Sequence, residues 1–335
     1  MKTLLIDGQW NLKRNFYKRK SYVAKGEMCG GSFGFLDSIR GVINRILPDR
    51  VVVMWDGLYS GKLRYEIYRP YKAKRKKNWD KEYTTIVNEV GNTEEEQEKL
   101  ELLKQKLVIN EFLDLLGVRH LEVKYIEADD LIAYYILSSK IPNEEIVIYS
   151  RDDDYVQLVS ETVSILNPDK LTLITVENFK NEFGFTHQNA LLLKCFKGDK
   201  SDGIEGVKGV TVKKILEYFP NVINERYTYN RLVEESYDKK REKKIKFFDK
   251  IIDAREVLYR NAKLINLKKP FINDEVKEEM LKIVYNALEN NLSIQGAIYL
   301  FFRKGFNKFV LNENTDIFFS SFYRIVMKEK EFNKF

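Results

Sequence analysis

Three short apolar runs in this 335-residue chain each end in carboxylates. Leu4-Leu5-Ile6 leads into Asp7-Gly8, Val51-Val52-Val53-Met54-Trp55 into Asp56-Gly57, and Ile146-Val147-Ile148-Tyr149 into Ser150-Arg151-Asp152-Asp153-Asp154. Runs of that length and composition read as buried strands. Between the first two, Phe33-Gly34-Phe35-Leu36, Ile39, Val42, Ile43 and Ile46-Leu47 recur at helical spacing and stop before Pro48. That spacing predicts a β-α-β crossover and hence parallel strands, whose carboxyl ends share one edge where ligands bind. An Asp-Gly pair is also a common turn, and either pair alone reads equally as structural.

Ile126-Glu127-Ala128-Asp129-Asp130-Leu131 places three carboxylates in four positions, directly before the apolar helix Leu131–Leu137. Two unit charges about 4 Å apart repel by roughly 1 to 4 kcal/mol at dielectrics between water and a protein surface, so such a cluster destabilises a fold unless cations neutralise it. Acidic residues also favour a first helical turn, so capping is the alternative reading. A plausible strand lies within 118–126, after a long helix that starts at Glu94-Glu95-Glu96 and runs toward Gly117. Asp152 and Asp154 would share a side if the chain stays extended there, with a helix following from Tyr155. A hairpin pairs 163–166 with 171–174 around Asn167-Pro168-Asp169-Lys170. After a helix over Gln188–Phe196 come Asp199 and Asp202, then Gly203-Ile204-Glu205-Gly206-Val207-Lys208-Gly209-Val210 and a helix over Thr211–Phe219. Such glycines let a backbone approach phosphate oxygens, or simply build a turn.

Composition narrows the chemistry. The net charge of +7, from 57 Lys and Arg against 50 Asp and Glu, coexists with concentrated acid, so base is displaced elsewhere and an anionic polymer is the expected partner. Cys29 and Cys195 form no paired motif, which fits a reducing cytosol and supports neither a disulfide framework nor a zinc ribbon. With His120 and His187 the only histidines, histidine-based zinc hydrolysis and Ser-His-Asp chemistry have almost no candidates. Oxygen ligands remain, and they suit Mg²⁺ or Mn²⁺. No segment reaches the ~18 apolar residues of a membrane span, so a cytoplasmic protein with no membrane partner is expected, in a host's cytoplasm if a phage encodes it. Lys62, Arg64, Arg69, Lys72, Lys74, Arg75, Lys76, Lys77 and Lys81 interleave with Tyr65, Tyr68, Tyr71 and Trp79. This mixture suits single-stranded nucleic acid, against the alternative of a solvated basic loop. Gly57–Leu63 is one residue short of a phosphate loop and lacks the hydroxyl after Lys62, so it is rejected as an NTPase motif.

Taken in order, Asp7, Asp56, Glu127-Ala128-Asp129-Asp130, Asp152-Asp153-Asp154 and Gly198-Asp199-Lys200-Ser201-Asp202, followed by a helix–hairpin–helix at Gly203–Phe219, resemble the metal-dependent 5′ nuclease family of flap endonucleases and 5′→3′ exonucleases, and within it the phage-type replicative RNase H enzymes. The resemblance covers roughly the first 260 residues. It implies a PIN-like α/β core with a mostly parallel central sheet flanked by helices, a helical arch, a helix–hairpin–helix and a helical C-terminal region. It implies metal ligands drawn from Asp7, Asp56, Glu127, Asp129, Asp130, Asp152 and Asp154, with Asp199 and Asp202 on a more distant side, holding two or more Mg²⁺ ions, and K⁺ at the helix–hairpin–helix. Lys72 and Arg75 match a basic pair at the scissile phosphate, joined there by Asp130 as a catalytic residue. Tyr71 and Lys74 fall in the same DNA-contacting stretch, and Gly206, Val207, Gly209, Lys213 and Lys214 match a duplex-backbone contact. Arg151 and Asp153 depart from the family's small hydroxyl residue and glycine, which makes Asp153 an extra charge beside the ligand set.

The implied organisation is a nuclease core over 1–185 with its basic arch at 62–116, a helix–hairpin–helix region over 186–260 and a C-terminal helical region over 261–335. The last is read from amphipathic segments at 276–288, 294–302 and 317–326, with Phe318, Phe319 and Phe322 as core and Pro270 as a break. The run Lys239–Lys244 reads either as duplex contact or as a solvated helix face. The expected activity is hydrolysis at 5′ single-strand/duplex junctions, by 5′→3′ exonuclease, flap-endonuclease and RNA-primer-removing action in replication or repair. A monomer acting on DNA or RNA–DNA junctions beside a single-strand-binding or clamp protein is expected. The alternatives are a PIN-like ribonuclease and a non-catalytic junction-DNA-binding protein.

Overall fold

The protein is described here by a computed structural model covering residues 1–73, 93–286, 292–310 and 315–332. Lys74 and Arg75, with the rest of the basic run beyond Ala73, lie outside the described residues. The chain divides into two compact units. The first holds residues 1–58 and 93–151 and the described residues from 272 onward; the second holds 59–73 and 152–271. The C-terminal helices from residue 272 therefore share a unit with the first strands of the chain.

The strands of the first unit are β1 (Lys2–Asp7), a short ribbon of β2 (Val23–Ala24) with β3 (Glu27–Met28), then β4 (Arg50–Trp55), β5 (Arg119–Glu122) and β6 (Glu145–Tyr149). β1 lies between β4 and β6, β5 lies outside β4, and every pairing among these four is parallel. Leu4, Leu5, Ile6 and Val51 through Trp55 are wholly buried, as runs without alternation should be in a sheet covered on both faces. The fold is α/β, with mostly parallel strands flanked by helices. The crossover helix Gly30–Ile46 ends where Leu47 turns left-handed, at φ 51°, just ahead of Pro48.

A helix that no apolar period marks, Gly8–Lys18, follows Asp7 directly. Two of its core positions are polar: Asn11 is fully buried and Asn15 nearly so, and the Asn15 amide donates to the Asn11 carbonyl at 2.9 Å. The long helix Glu94–Leu115 starts in a capping box, with Glu96 N–H donating to Thr93 Oγ1 and Thr93 N–H to Glu96 Oε2, so its acidic opening is a capped helix start. Lys106 fastens this helix to the sheet: its ammonium lies 5.0 Å from the Trp55 ring centroid and 2.6 Å from Glu122 Oε2.

At the starting ends of β4 and β5 sits a buried ionic triad. Arg119 donates to both carboxylate oxygens of Glu329, at 3.0 and 2.6 Å, and to the carbonyls of Ile283 and Asn286; Arg50 lies 3.5 Å from the same carboxylate and donates to the Val284 carbonyl. The three side chains are only 1–2% exposed. Glu329 belongs to the C-terminal helix Thr315–Phe332, whose Phe318, Phe319 and Phe322 are fully buried; Phe318 packs with Phe33 and Phe301, Phe319 with Phe301, and Phe322 with Phe319.

The second unit contains the antiparallel pair β7 (Val163–Leu166) and β8 (Leu173–Ile174), the small pair β9 (Gly198–Asp199) and β10 (Ile204–Glu205), and helices including Ala190–Lys197, Val212–Tyr218 and Arg255–Ile265. Two members of the expected nucleic-acid surface are core residues here. Tyr71, only 2% exposed, packs with Ile204, Leu264 and Ile265 and has no ring face open for stacking. Arg64 is likewise buried, donating to the Leu264 carbonyl at 2.9 Å and lying over Phe271.

Removing one member of a buried ion pair costs roughly 3–5 kcal/mol, and urea unfolding of Glu329→Ala should show a loss of that size; a loss under about 1 kcal/mol would contradict the role given to the triad. Burial pushes the Cys29 thiol up to about 11 and the Cys195 thiol up to about 12. At pH 8 their thiolate fractions fall to roughly one in a thousand and one in ten thousand. Both should resist a thiol-specific colorimetric reagent in the folded protein and react promptly in denaturant, whereas rapid reaction when folded would contradict this packing.

Candidate metal centre

The first unit gathers five of the expected ligands at the carboxyl edge of its sheet. Asp7 ends β1 in register with Met54, one residue short of the end of β4, and Asp56 follows that end directly. Asp7 is 8% exposed: its Oδ1 accepts from Trp10 N–H at 2.9 Å, capping the helix Gly8–Lys18, and its Oδ2 accepts from Ser150 Oγ at 3.2 Å. Asp7 thus orients its carboxylate through the helix it starts.

Asp56 is held against the acidic helix start. Its Oδ1 accepts from Ala128 N–H at 3.0 Å, and Gly57 N–H donates to the Ile126 carbonyl at 2.9 Å. A side chain at Gly57 would place its Cβ 1.7 Å from the Val123 carbonyl oxygen, so the close approach of the two segments requires glycine. Beside Asp56, the N-cap residue Glu127 and the first-turn residues Asp129 and Asp130 of the helix Ala128–Ser138 converge, their ligand atoms all within 4.8 Å of one another. Asp130 is wholly buried, and its N–H donates to Asp129 Oδ1 at 2.8 Å. A cap needs one carboxylate oxygen, and three converging carboxylates with a fourth bound to the adjacent N–H exceed that need. An all-oxygen donor set of this density fits a hard divalent cation.

The second unit holds the remaining acids in a different state. The stretch after Arg151 is not extended as expected: Asp152 caps a 3₁₀ helix, Asp153–Leu158, accepting from Asp154 N–H at 2.8 Å. The turn gains that bond and buries Tyr155 and Leu158, which outweighs extension. Lys194, which motif spacing does not single out, pairs with both Asp154 and, at 3.2 Å, Asp199. Asp199 Oδ1 also accepts from Ser201 N–H and Oγ. Burial raises the Asp199 carboxyl, but the Ser201 hydrogen bond and the Lys194 charge outweigh it and hold the group below the usual carboxylate range. Lys72 sits in a left-handed conformation, φ 49°, with its N–H on the Asp202 carbonyl at 2.8 Å and its ammonium 3.5 Å from Asp202 Oδ2. Gly203, φ +75°, makes this approach possible, since a Cβ there would meet the Pro70 carbonyl oxygen at 2.4 Å.

The glycine turn is also tightly built. A Cβ at Gly206 would lie 2.3 Å from the Lys197 carbonyl oxygen, Gly209 has φ +80°, and Val207 N–H donates to the Phe196 carbonyl at 2.8 Å. Thr211 caps the helix Val212–Tyr218, leaving Lys213 and Lys214 exposed on its first turn. Missed by motif reasoning were Ser150 and Lys194; each lies within a few residues of an acidic motif, but only the folded chain shows which carboxylate it meets.

Comparisons with known proteins show which family the chain belongs to. The family model for the 5′-3′ exonuclease, N-terminal resolvase-like domain, matches residues 2–184, more than half of the chain. A 5′-3′ exonuclease of Aquifex aeolicus (strain VF5) is 32% identical over 229 residues, covering 67% of this chain and 72% of that protein. One from Mycoplasmopsis pulmonis (strain UAB CTIP) is 27% identical over 293 residues, covering 87% and 88%. The fold resembles that of T5 5′-exonuclease, solved with divalent zinc ions bound, at a TM-score of 0.63 and 18% identity over 85% of this chain and 100% of that one. The chain belongs to the 5′-3′ exonuclease family and is a nuclease.

Proposed function

We propose that this nuclease cuts phosphodiester bonds at junctions of a 5′ single strand with duplex, on DNA flaps, nicks and RNA–DNA primers, and that Mg²⁺ is its working metal. The observation that carries the reading is the convergence of Glu127, Asp129 and Asp130 beside Asp56 at the sheet edge that also bears Asp7. Divalent magnesium, or manganese in its place, supplies Lewis-acid activation of water and charge stabilisation at the phosphate. Asp7, Asp56, Glu127, Asp129 and Asp130 would hold that ion when it is bound. Ser150 and the N–H groups of Trp10 and Ala128 fix two of these carboxylates before substrate arrives, so little reorganisation is left for the reaction.

Within the second unit, Asp152, Asp154, Asp199 and Asp202 would offer further ligand oxygens to a divalent ion, and Lys194 pairs with two of them, Asp154 and Asp199, in its place. Lys72 exchanges Asp202 for a phosphate oxygen, and Arg75 joins it there. The duplex backbone is met by Gly206, Val207 and Gly209 with Lys213 and Lys214, where a K⁺ ion belongs to the same reading. The protein acts as a monomer beside a single-strand-binding or clamp protein.

With Mg²⁺ and a labelled 5′ flap, Asp130→Asn should lower the single-turnover rate by about a thousandfold or more while binding the junction as tightly as the parent or tighter. Equal cutting by variant and parent would show that the centre lies elsewhere. Lys72→Ala should lower the same rate by roughly a hundredfold, the size expected for one lost electrostatic contact to the reacting phosphate. In a panel of flap, nicked duplex, RNA–DNA primer and unpaired RNA, the three junction substrates should be cut, and cleavage of unpaired RNA alone would overturn the junction reading.

A further inference from the structure

The second unit contains an open groove of about 660 Å³ that none of the acidic motifs lines, bounded by the helix Ala190–Lys197, the segment 226–229 and the helix Arg255–Ile265. Its floor is apolar, built by Leu192, Cys195 and Leu258, while Arg226, Arg255 and Tyr259 stand exposed at its rim. Arg231, next along the chain from Arg226, spends its guanidinium on Glu225 and Glu235, whereas neither Arg226 nor Arg255 makes an ion pair among the described residues. Glu256 is the one carboxylate among the lining residues, so the groove carries net positive charge. Tyr259 is 65% exposed; the Lys263 ammonium lies 5.2 Å from its ring centroid, which adds a cation beside the groove and leaves the other ring face for a ligand.

We propose that this groove is a nucleotide-binding site separate from the cleavage centre, with a base stacked on Tyr259 over the apolar floor and its phosphate paired to Arg226 and Arg255. Its volume lies in the range of small-ligand sites, which are mostly apolar with a few placed polar groups. An exposed ring beside unpaired guanidinium groups is the combination that holds an unpaired base and its phosphate. The walls are preorganised. Asn261 Nδ2 donates to the Cys195 carbonyl at 2.8 Å and to the Glu205 carbonyl at 2.9 Å, tying both helices to the strand that enters the Gly206 turn. A nucleotide in the groove therefore braces the backing of that turn. The same chemistry comes from two sources, a free 5′-mononucleotide or an unpaired nucleotide within a strand.

The test uses the whole chain in EDTA, so that binding is read independently of cleavage, and titrates dAMP, deoxyadenosine and the tetranucleotide (pdA)4 by ligand-observed NMR and calorimetry. Binding of dAMP is expected, with deoxyadenosine weaker by about tenfold and the Arg226→Ala/Arg255→Ala double variant weakening dAMP by about tenfold. Tyr259→Ala, at an exposed position that folding does not require, should weaken dAMP and deoxyadenosine alike. Both variants should cut a 5′ flap with Mg²⁺ within about twofold of the parent, which separates this site from the cleavage centre. Tighter binding of (pdA)4 than of dAMP supports a strand as the source, and equal binding supports the free mononucleotide. No dAMP binding up to ~10 mM, or binding unchanged in the double variant, would overturn the proposal.

Discussion

The parallel register of β1 against β4 is the constraint on which the rest of the site depends. Pairing Ile6 with Val53 and Asp7 with Met54 brings two carboxylates, 49 positions apart in the chain, to adjacent strand ends. Because side chains alternate along a strand, a slip of one residue would turn the Asp7 side chain to the opposite face and lose the cluster. Thr3 through Asp7 and all of β4 are buried, so a slip would carry the buried polar groups Thr3, Asp7 and Arg50 away from their partners Glu144, Ser150 and Glu329. The Asp56 carboxylate then bonds the backbone of the helix that carries the three clustered acids, and that bond converts a sheet edge into a charge-dense centre.

The opposite edge of the same sheet carries the converse arrangement. Arg50 and Arg119 begin β4 and β5, and Glu329 from the C-terminal helix pairs with both in a buried triad. Base at the starting edge and acid at the finishing edge separate the charges along the strands, with an apolar layer between them. The triad also explains why the C-terminal helices share a unit with the first strands. Their carbonyls at Ile283, Val284 and Asn286 accept from the two arginines, so the sheet's starting edge is completed by chain far downstream.

Much of this was legible in the sequence because the strands are buried on both faces and leave uninterrupted apolar runs. The carboxylates at their ends, the hairpin and the capped helices follow from local chemistry. Other features were hidden for stated reasons. The helix Gly8–Lys18 fills core positions with Asn11 and Asn15, which hydrogen-bond one another and erase the apolar period. Tyr71 sits in a strongly basic stretch, and nothing local shows that its ring meets Ile204 and Leu264, which lie over 130 residues away. The 3₁₀ turn after Asp152 depends on burying Tyr155, a tertiary gain that strand-end patterning does not contain. Lys194 is one lysine among many until the fold brings Asp154 and Asp199 to it.

The central claim is that Glu127, Asp129 and Asp130, beside Asp56, form a divalent-metal site. Electron paramagnetic resonance of Mn²⁺ titrated into the DNA-free protein reads this directly, because bound and free ions give separate signals. The account predicts saturable Mn²⁺ binding by the parent that is lost in the Glu127→Gln/Asp129→Asn/Asp130→Asn triple variant while its circular dichroism stays unchanged. Undiminished Mn²⁺ binding by the folded triple variant would contradict it.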